Sequence, residues 1–169
     1  EQSLFITGGG THGLNRTIGT PTNEYKLTLS CWIKRAAIGN TNIQEIFKAF
    51  TGSQGVNTGF DYATDDKLGV GVSPSYDGNT TASTLDPVFR DISAFMHLVI
   101  AYDTTDGTAS NRFKMYVNGV QETSFATSDY PTQNLDLYFN DDIAQYIGRF
   151  STADSNHWDG HMADFYFID

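Results

Sequence analysis

A chain of 169 residues with 20 acidic and 10 basic side chains carries a formal charge of −10. That balance excludes sequence-independent nucleic-acid binding, which needs Lys and Arg to displace counterions, and docking by charge on anionic lipid. No apolar run approaches the ~18 residues of a membrane span, and the length fits one domain, 1–169, able to bury ~70% of its unfolded surface without disulfide or metal staples.

The 16 Gly, 12 Phe and 9 Tyr residues suit pleated, half-buried surfaces. The pattern predicts strands over 3–6, 14–18, 26–35, 44–50, 59–62, 67–73, 85–89, 95–103, 112–118, 121–125, 145–149 and 161–168, with Gly, Asn, Asp, Ser and Thr turns between them. At most a turn of helix is expected, around 91–94. In the strand over 26–35, Leu29, Cys31 and Ile33 share one face, so the only cysteine is expected as a small buried hydrophobe. Trp32, mid-strand beside it, is expected to belong to the fold. The stretch 111–119 (Asn-Arg-Phe-Lys-Met-Tyr-Val-Asn-Gly) alternates with period two, Phe113, Met115 and Val117 on one face. It ends in Asn118-Gly119, the strongest short signal for a type I′ hairpin, followed at once by a strand over 120–125. The amphipathic first and last strands are expected side by side in one sheet. Glu1 in place of an initiator Met leaves a domain cut and a processed end open, and no charged-then-apolar leader is seen.

Lys114-Met-Tyr-Val-Asn-Gly119 and the closing Asp159-Gly-His-Met-Ala-Asp-Phe-Tyr-Phe-Ile-Asp169 resemble the hairpin and final strand of laminin-G-like domains, a branch of the concanavalin A-like jelly rolls. Leu27-Thr-Leu-Ser-Cys-Trp-Ile-Lys-Arg35 resembles the early core strand of that family. Further likenesses are Val88-Phe-Arg-Asp91, residues 95–103, Tyr130-Pro-Thr-Gln-Asn134 and Gln145-Tyr-Ile-Gly-Arg149. The resemblance spans 3–169, and together these motifs resemble a version of the domain common in structural proteins of tailed bacteriophages. It implies an all-β fold, a two-sheet antiparallel jelly-roll sandwich. It also implies a non-catalytic module exposed on the virion surface, a capsid decoration or tail-fibre head. Such a module would be present in many copies, with other virion proteins and host or environmental glycans as partners. A structural cementing protein that binds only virion neighbours is the second reading. A polysaccharide-active enzyme and a cellular adhesion domain are the others.

The glucanase branch of the fold carries clustered carboxylates, because glycoside hydrolysis needs an acid and a second carboxylate at a set separation. This chain has four glutamates, Glu1, Glu24, Glu45 and Glu122, none close to another in sequence, so no catalytic residue is assigned. Asp61, Asp65 and Asp66 read as a turn. His157 and His161 have the i, i+4 spacing of a helical zinc site, but Gly160 and the strand pattern deny the helix. His97 is expected as a satisfied strand histidine. Gly8-Gly9-Gly10 opens no helix and so cradles no phosphate.

Relatives with this fold often hold calcium at the sheet rim, which takes six to eight hard oxygens. Ca2+ is therefore a candidate cofactor, at Asp103 and Asp106 or at Asp141 and Asp142, although turns explain these acids too. Sugar sites combine exposed aromatic rings with Asp, Asn and Gly at loop tips. Tyr76, Asp77 and Asn79 form one such set, and Asn156, Trp158 and Asp159 the other. Trp158 is the leading candidate, against the ordinary role of a tryptophan packed at the end of a sandwich.

Overall fold

The computed structural model describes residues 2–8, 12–39, 43–50, 55–60, 66–73, 81–137, 141–149 and 156–169. The strands are β1 (Leu4–Ile6), β2 (Leu14–Thr17), β3 (Lys26–Arg35), β4 (Gln44–Phe50), β5 (Gly55–Phe60), β6 (Lys67–Ser73) and β7 (Thr81–Val88). They continue with β8 (Met96–Asp103), β9 (Phe113–Val117), β10 (Val120–Glu122), β11 (Phe125–Thr127), β12 (Ala144–Ile147) and β13 (Gly160–Ile168). Among the described residues the only helical piece is a 3-10 turn at Ala109–Asn111.

Two antiparallel sheets pack face to face, as expected of a jelly-roll sandwich. The six-stranded sheet runs β1-β13-β3-β8-β9-β10 and the seven-stranded sheet β11-β7-β6-β5-β4-β12-β2. Alternation drives the packing. β3 buries Leu27, Leu29, Cys31 and Ile33, β8 buries Leu98, Ile100 and Tyr102, and β9 buries Phe113, Met115 and Val117. They meet Phe47, Ala49, Phe60, Leu68, Val70, Val72 and Leu85 of the other sheet in one core. Cys31 is fully enclosed, and burial pushes its thiol up to about 12, as an inert core residue requires.

The termini lie together, Leu4 opposite Met162 and Ile6 opposite Gly160. Asn118 and Gly119 both have positive φ, 51° and 80°, the geometry of the expected I′ turn. The strand expected over 120–125 divides in two. β10 stays with β9, while β11 crosses to pair with β7 of the opposite sheet. The break is bridged by the Asp86 N–H donating to the Ser124 carbonyl (3.0 Å), a handover that a two-residue periodicity cannot reveal.

Three loops are clasped by one carboxylate. Asp66 accepts from Arg35 Nη2 (2.7 Å), Arg90 Nε (2.8 Å) and the Gly39 N–H (3.1 Å). Arg35, 6% exposed, also donates to the Phe89 carbonyl and the Gln44 side chain and lies 4.3 Å above the Phe60 ring. Burial pushes the Asp66 carboxyl up, but the donors from Arg90, Gly39 and Arg35 outweigh it and hold it below the usual carboxylate range.

Candidate functional site

Because Leu29, Cys31 and Ile33 face the core, period two sends Ser30, Trp32 and Lys34 to the outer face of the six-stranded sheet. Trp32 is accordingly 40% exposed. It does not float there. It stands in a cross-strand row between Ala163 and His97. The His97 ring stacks beneath it, with centroids 4.8 Å apart and planes 26° off parallel. His97 is fixed in turn by Ser30 Oγ at 2.9 Å from its Nε2, and its backbone N–H donates to Asn118 Oδ1 (2.9 Å). The expected satisfied histidine is thus observed, but as the support of an exposed indole. On Trp32's other side the small Ala163 leaves space, and a pocket of about 420 Å³ opens there, lined by Gln2, Ser3, Trp32, Phe95, Ala163 and Asp164.

Phe95, also 40% exposed, closes one wall and packs edge-on to His161 (6.1 Å), which contacts Phe5 (4.7 Å). Asp164 also lines the pocket. It lies inside β13, yet its φ is 48°, at a register shift between Ala163 and Tyr166. A bulge of this kind re-aims a side chain, and Asp is one of the few residues that tolerates the left-handed region. Among the described residues the Asp164 carboxylate and the Trp32 indole N–H have no hydrogen-bond partner. An exposed apolar ring face, a free donor and a free acceptor-only carboxylate therefore surround one cavity.

The residues singled out from sequence are placed differently. Trp158 is not at the surface: it is 0% exposed, its ring 6.1 Å from that of Phe60, and its backbone N–H donates to the Gly148 carbonyl (2.9 Å). Gly148, at φ 75°, makes the room, since a Cβ there would meet Ile6 Cδ1 and lie 3.5 Å from Trp158 Cβ. The Trp158 indole nitrogen has no partner among the described residues. The polar neighbours in Asn156-His157-Trp158-Asp159 suggested a loop tip, whereas the bridge between Arg149 and His157 turns the ring inward. Asn156 and Asp159 are half-buried, and Asp159 packs against Gly8 and accepts the Ala36 N–H through its carbonyl. Tyr76, Asp77 and Asn79 lie outside the described residues, as do Asp61 and Asp65.

The acids proposed for calcium do not form a donor set. Asp103 is taken by Lys26 Nζ (2.9 Å) and by the Thr105 hydroxyl and N–H (2.5 and 3.1 Å), while Asp106 accepts the Thr108 N–H (2.7 Å). Asp141 accepts the Ile143 N–H through its carbonyl, and Asp142 sits beside it in the same bend. Among the described residues no three His, Cys, Asp or Glu side chains converge on a metal-sized space.

Sequence reading also missed Glu45 in β4. It is 0% exposed with both carboxylate oxygens unpartnered. Burial pushes it up to about 8, against the pull of the Lys48 charge. A larger cleft of about 750 Å³ opens between β2 and the end of β13. Its floor is already used, because the Phe47 ring is stacked on Phe165 and Phe167 at 6.1 and 5.6 Å. The smaller Trp32 pocket holds the free recognition groups and is the better site.

A family model described as the concanavalin A-like lectin/glucanases superfamily matches residues 8–169. No curated protein sequence is significantly similar to the chain. Among solved structures, domain 4 of AbnA, an extracellular arabinanase from Geobacillus stearothermophilus in complex with arabinotriose, superposes with a TM-score of 0.63 at 18% identity over 99% of this chain and 70% of that one. The CBM40 of the Ruminococcus gnavus IT-sialidase, bound to α2,3 sialyllactose, gives 0.64 at 11% identity over 99% and 89%. Domains LG4-5 of mouse laminin α1 give 0.62 at 11% over 99% and 43%. At these identities the likeness speaks for the fold.

Proposed function

The chain belongs to the concanavalin A-like lectin/glucanase superfamily, and from that premise we propose that it is a non-catalytic glycan-binding module. The observation that carries this reading is the exposed Trp32 face, held flat by His97 beside the Asp164 pocket. A pyranose offers an apolar CH face to such a ring and hydroxyls to the carboxylate and indole N–H around it. Neighbours of the same fold bound to arabinotriose and sialyllactose support the ligand class. The electrostatics support a binding role over catalysis. Glu45 has Lys48 as its charged neighbour, not the second carboxylate that glycoside hydrolysis requires.

The proposal extends to setting. The motifs shared with tailed-phage structural proteins favour a virion-exposed decoration or tail-fibre head, where many copies turn weak contacts into avidity. A glycan array probed with the domain displayed multivalently, with calcium and with chelator, tests the reading. Binding that Trp32→Ala abolishes supports it, and a blank array from folded protein refutes it. A second reading is favoured by Phe5, Trp32, Phe95, Tyr166 and Ile168, each at least 40% exposed on this one sheet face. Such a strip also suits a protein partner on the particle, and a blank array would leave that cementing role in its place.

A further inference from the structure

We infer that the Trp32 pocket selects uncharged glycans and rejects those bearing a carboxylate, such as sialylated or uronic-acid sugars; the inference rests on the glycan-binding reading above. Among the described residues the lining supplies one formal charge, the Asp164 carboxylate, and no lysine or arginine. A carboxylate can only accept, so its partner must donate. Sugar hydroxyls meet that need, and a second carboxylate meets repulsion. Lys34, two residues from Trp32 on the same face, does not redress the balance. It stands opposite His161 in the ladder, outside the pocket's described lining, and it faces Asp91, whose carboxyl is held low chiefly by the Ser93 hydroxyl and N–H, with the Ala94 N–H and last the Lys34 charge adding to them. The chain's net charge of −10 adds repulsion at longer range.

Two features show that Asp164 is placed rather than incidental. It occupies a left-handed conformation within the closing strand, and the bulge that produces this conformation sets it beside Trp32. Strain of this kind points to a functional demand on the position.

The test uses paired probes on one array, neutral oligosaccharides such as lactose and their sialylated counterparts such as sialyllactose, at equal density and two ionic strengths. Wild type is expected to bind at least one neutral member, with sialylation of that core weakening binding by roughly tenfold, as one charge pair a few ångströms apart at the surface implies. The penalty should shrink in high salt. Asp164→Asn, which keeps an acceptor and tolerates positive φ, should narrow the neutral-to-sialylated ratio toward one while its melting temperature stays that of wild type. Equal or tighter binding of the sialylated member, or a ratio that Asp164→Asn leaves unchanged, overturns the selectivity and leaves glycan binding standing. Binding to neither member of any pair overturns both.

Discussion

Replacing Asp66 tests how the loops of this sandwich are held. Asp66→Ala removes the acceptor of two arginines and of the Gly39 N–H. The cost lies chiefly with Arg35, because it is 6% exposed and its charge would stay buried. Breaking one side of such a pair costs about 3–5 kcal/mol. Arg90, 54% exposed, adds at most ~1 kcal/mol. The φ of 51° at position 66 adds a further ~1–2 kcal/mol for alanine but not for asparagine. Asp66→Ala should therefore lose about 4–8 kcal/mol, and Asp66→Asn, which keeps an acceptor for Arg35, about 2–4 kcal/mol. At about 2–4 °C per kcal/mol for a chain of this size, the alanine variant should melt roughly 8–32 °C lower. Urea unfolding followed by tryptophan fluorescence gives the difference directly. The pH dependence has a definite sign. Because the native carboxyl is held low, its contribution is present above the unfolded carboxylate range and disappears as pH falls through the native value. The gap between wild type and Asp66→Asn should thus close in acid. A gap under ~1 kcal/mol at pH 7, or one that persists undiminished at pH 2, refutes the clasp.

Three further outcomes follow from the same geometry. Glu45 has the opposite sign: its native value is raised to about 8, so the wild type loses stability as pH climbs from the ordinary carboxylate range toward 8. Glu45→Gln should gain on wild type over that interval by up to a few kcal/mol, and parallel melting temperatures from pH 5 to 9 would contradict this. Trp158→Ala should cost about 3–5 kcal/mol in urea unfolding because the ring is wholly enclosed. Loss of binding without loss of stability would contradict its core placement. Gly160→Ala should fail to give folded protein on expression, since φ is 146° and a Cβ would lie 2.1 Å from the Lys34 carbonyl oxygen. A soluble variant with native melting would show that the β3–β13 ladder can yield there.

Much of the fold was legible because alternation carries it. The Asn118-Gly119 hairpin, the core face of β3 and the pairing of the two termini each follow from period two or from turn chemistry. The site was less legible, and the two tryptophans show why. An indole has an apolar body and one polar atom, so composition around it is a poor guide. The acidic and amide neighbours of Trp158 pointed to solvent, while an end-of-sandwich bridge buries it. For Trp32 the signal was present: if Leu29, Cys31 and Ile33 face inward, residue 32 must face outward. The β13 bulge also left a trace, since the inward apolar phase shifts from Met162 to Phe165 and Phe167. Nothing local marks Glu45, whose burial depends on what the assembled sandwich places around β4.

The most direct test of the account is a side-by-side titration of immobilised glycan with wild type and Trp32→Ala, each presented at the same valency and checked for melting temperature. Because the ring is an exposed platform, its removal should leave melting within a few degrees and weaken binding about tenfold or more, as loss of an aromatic anchor does. Unchanged affinity in a folded Trp32→Ala protein would contradict the account and remove this face of the six-stranded sheet as the binding site.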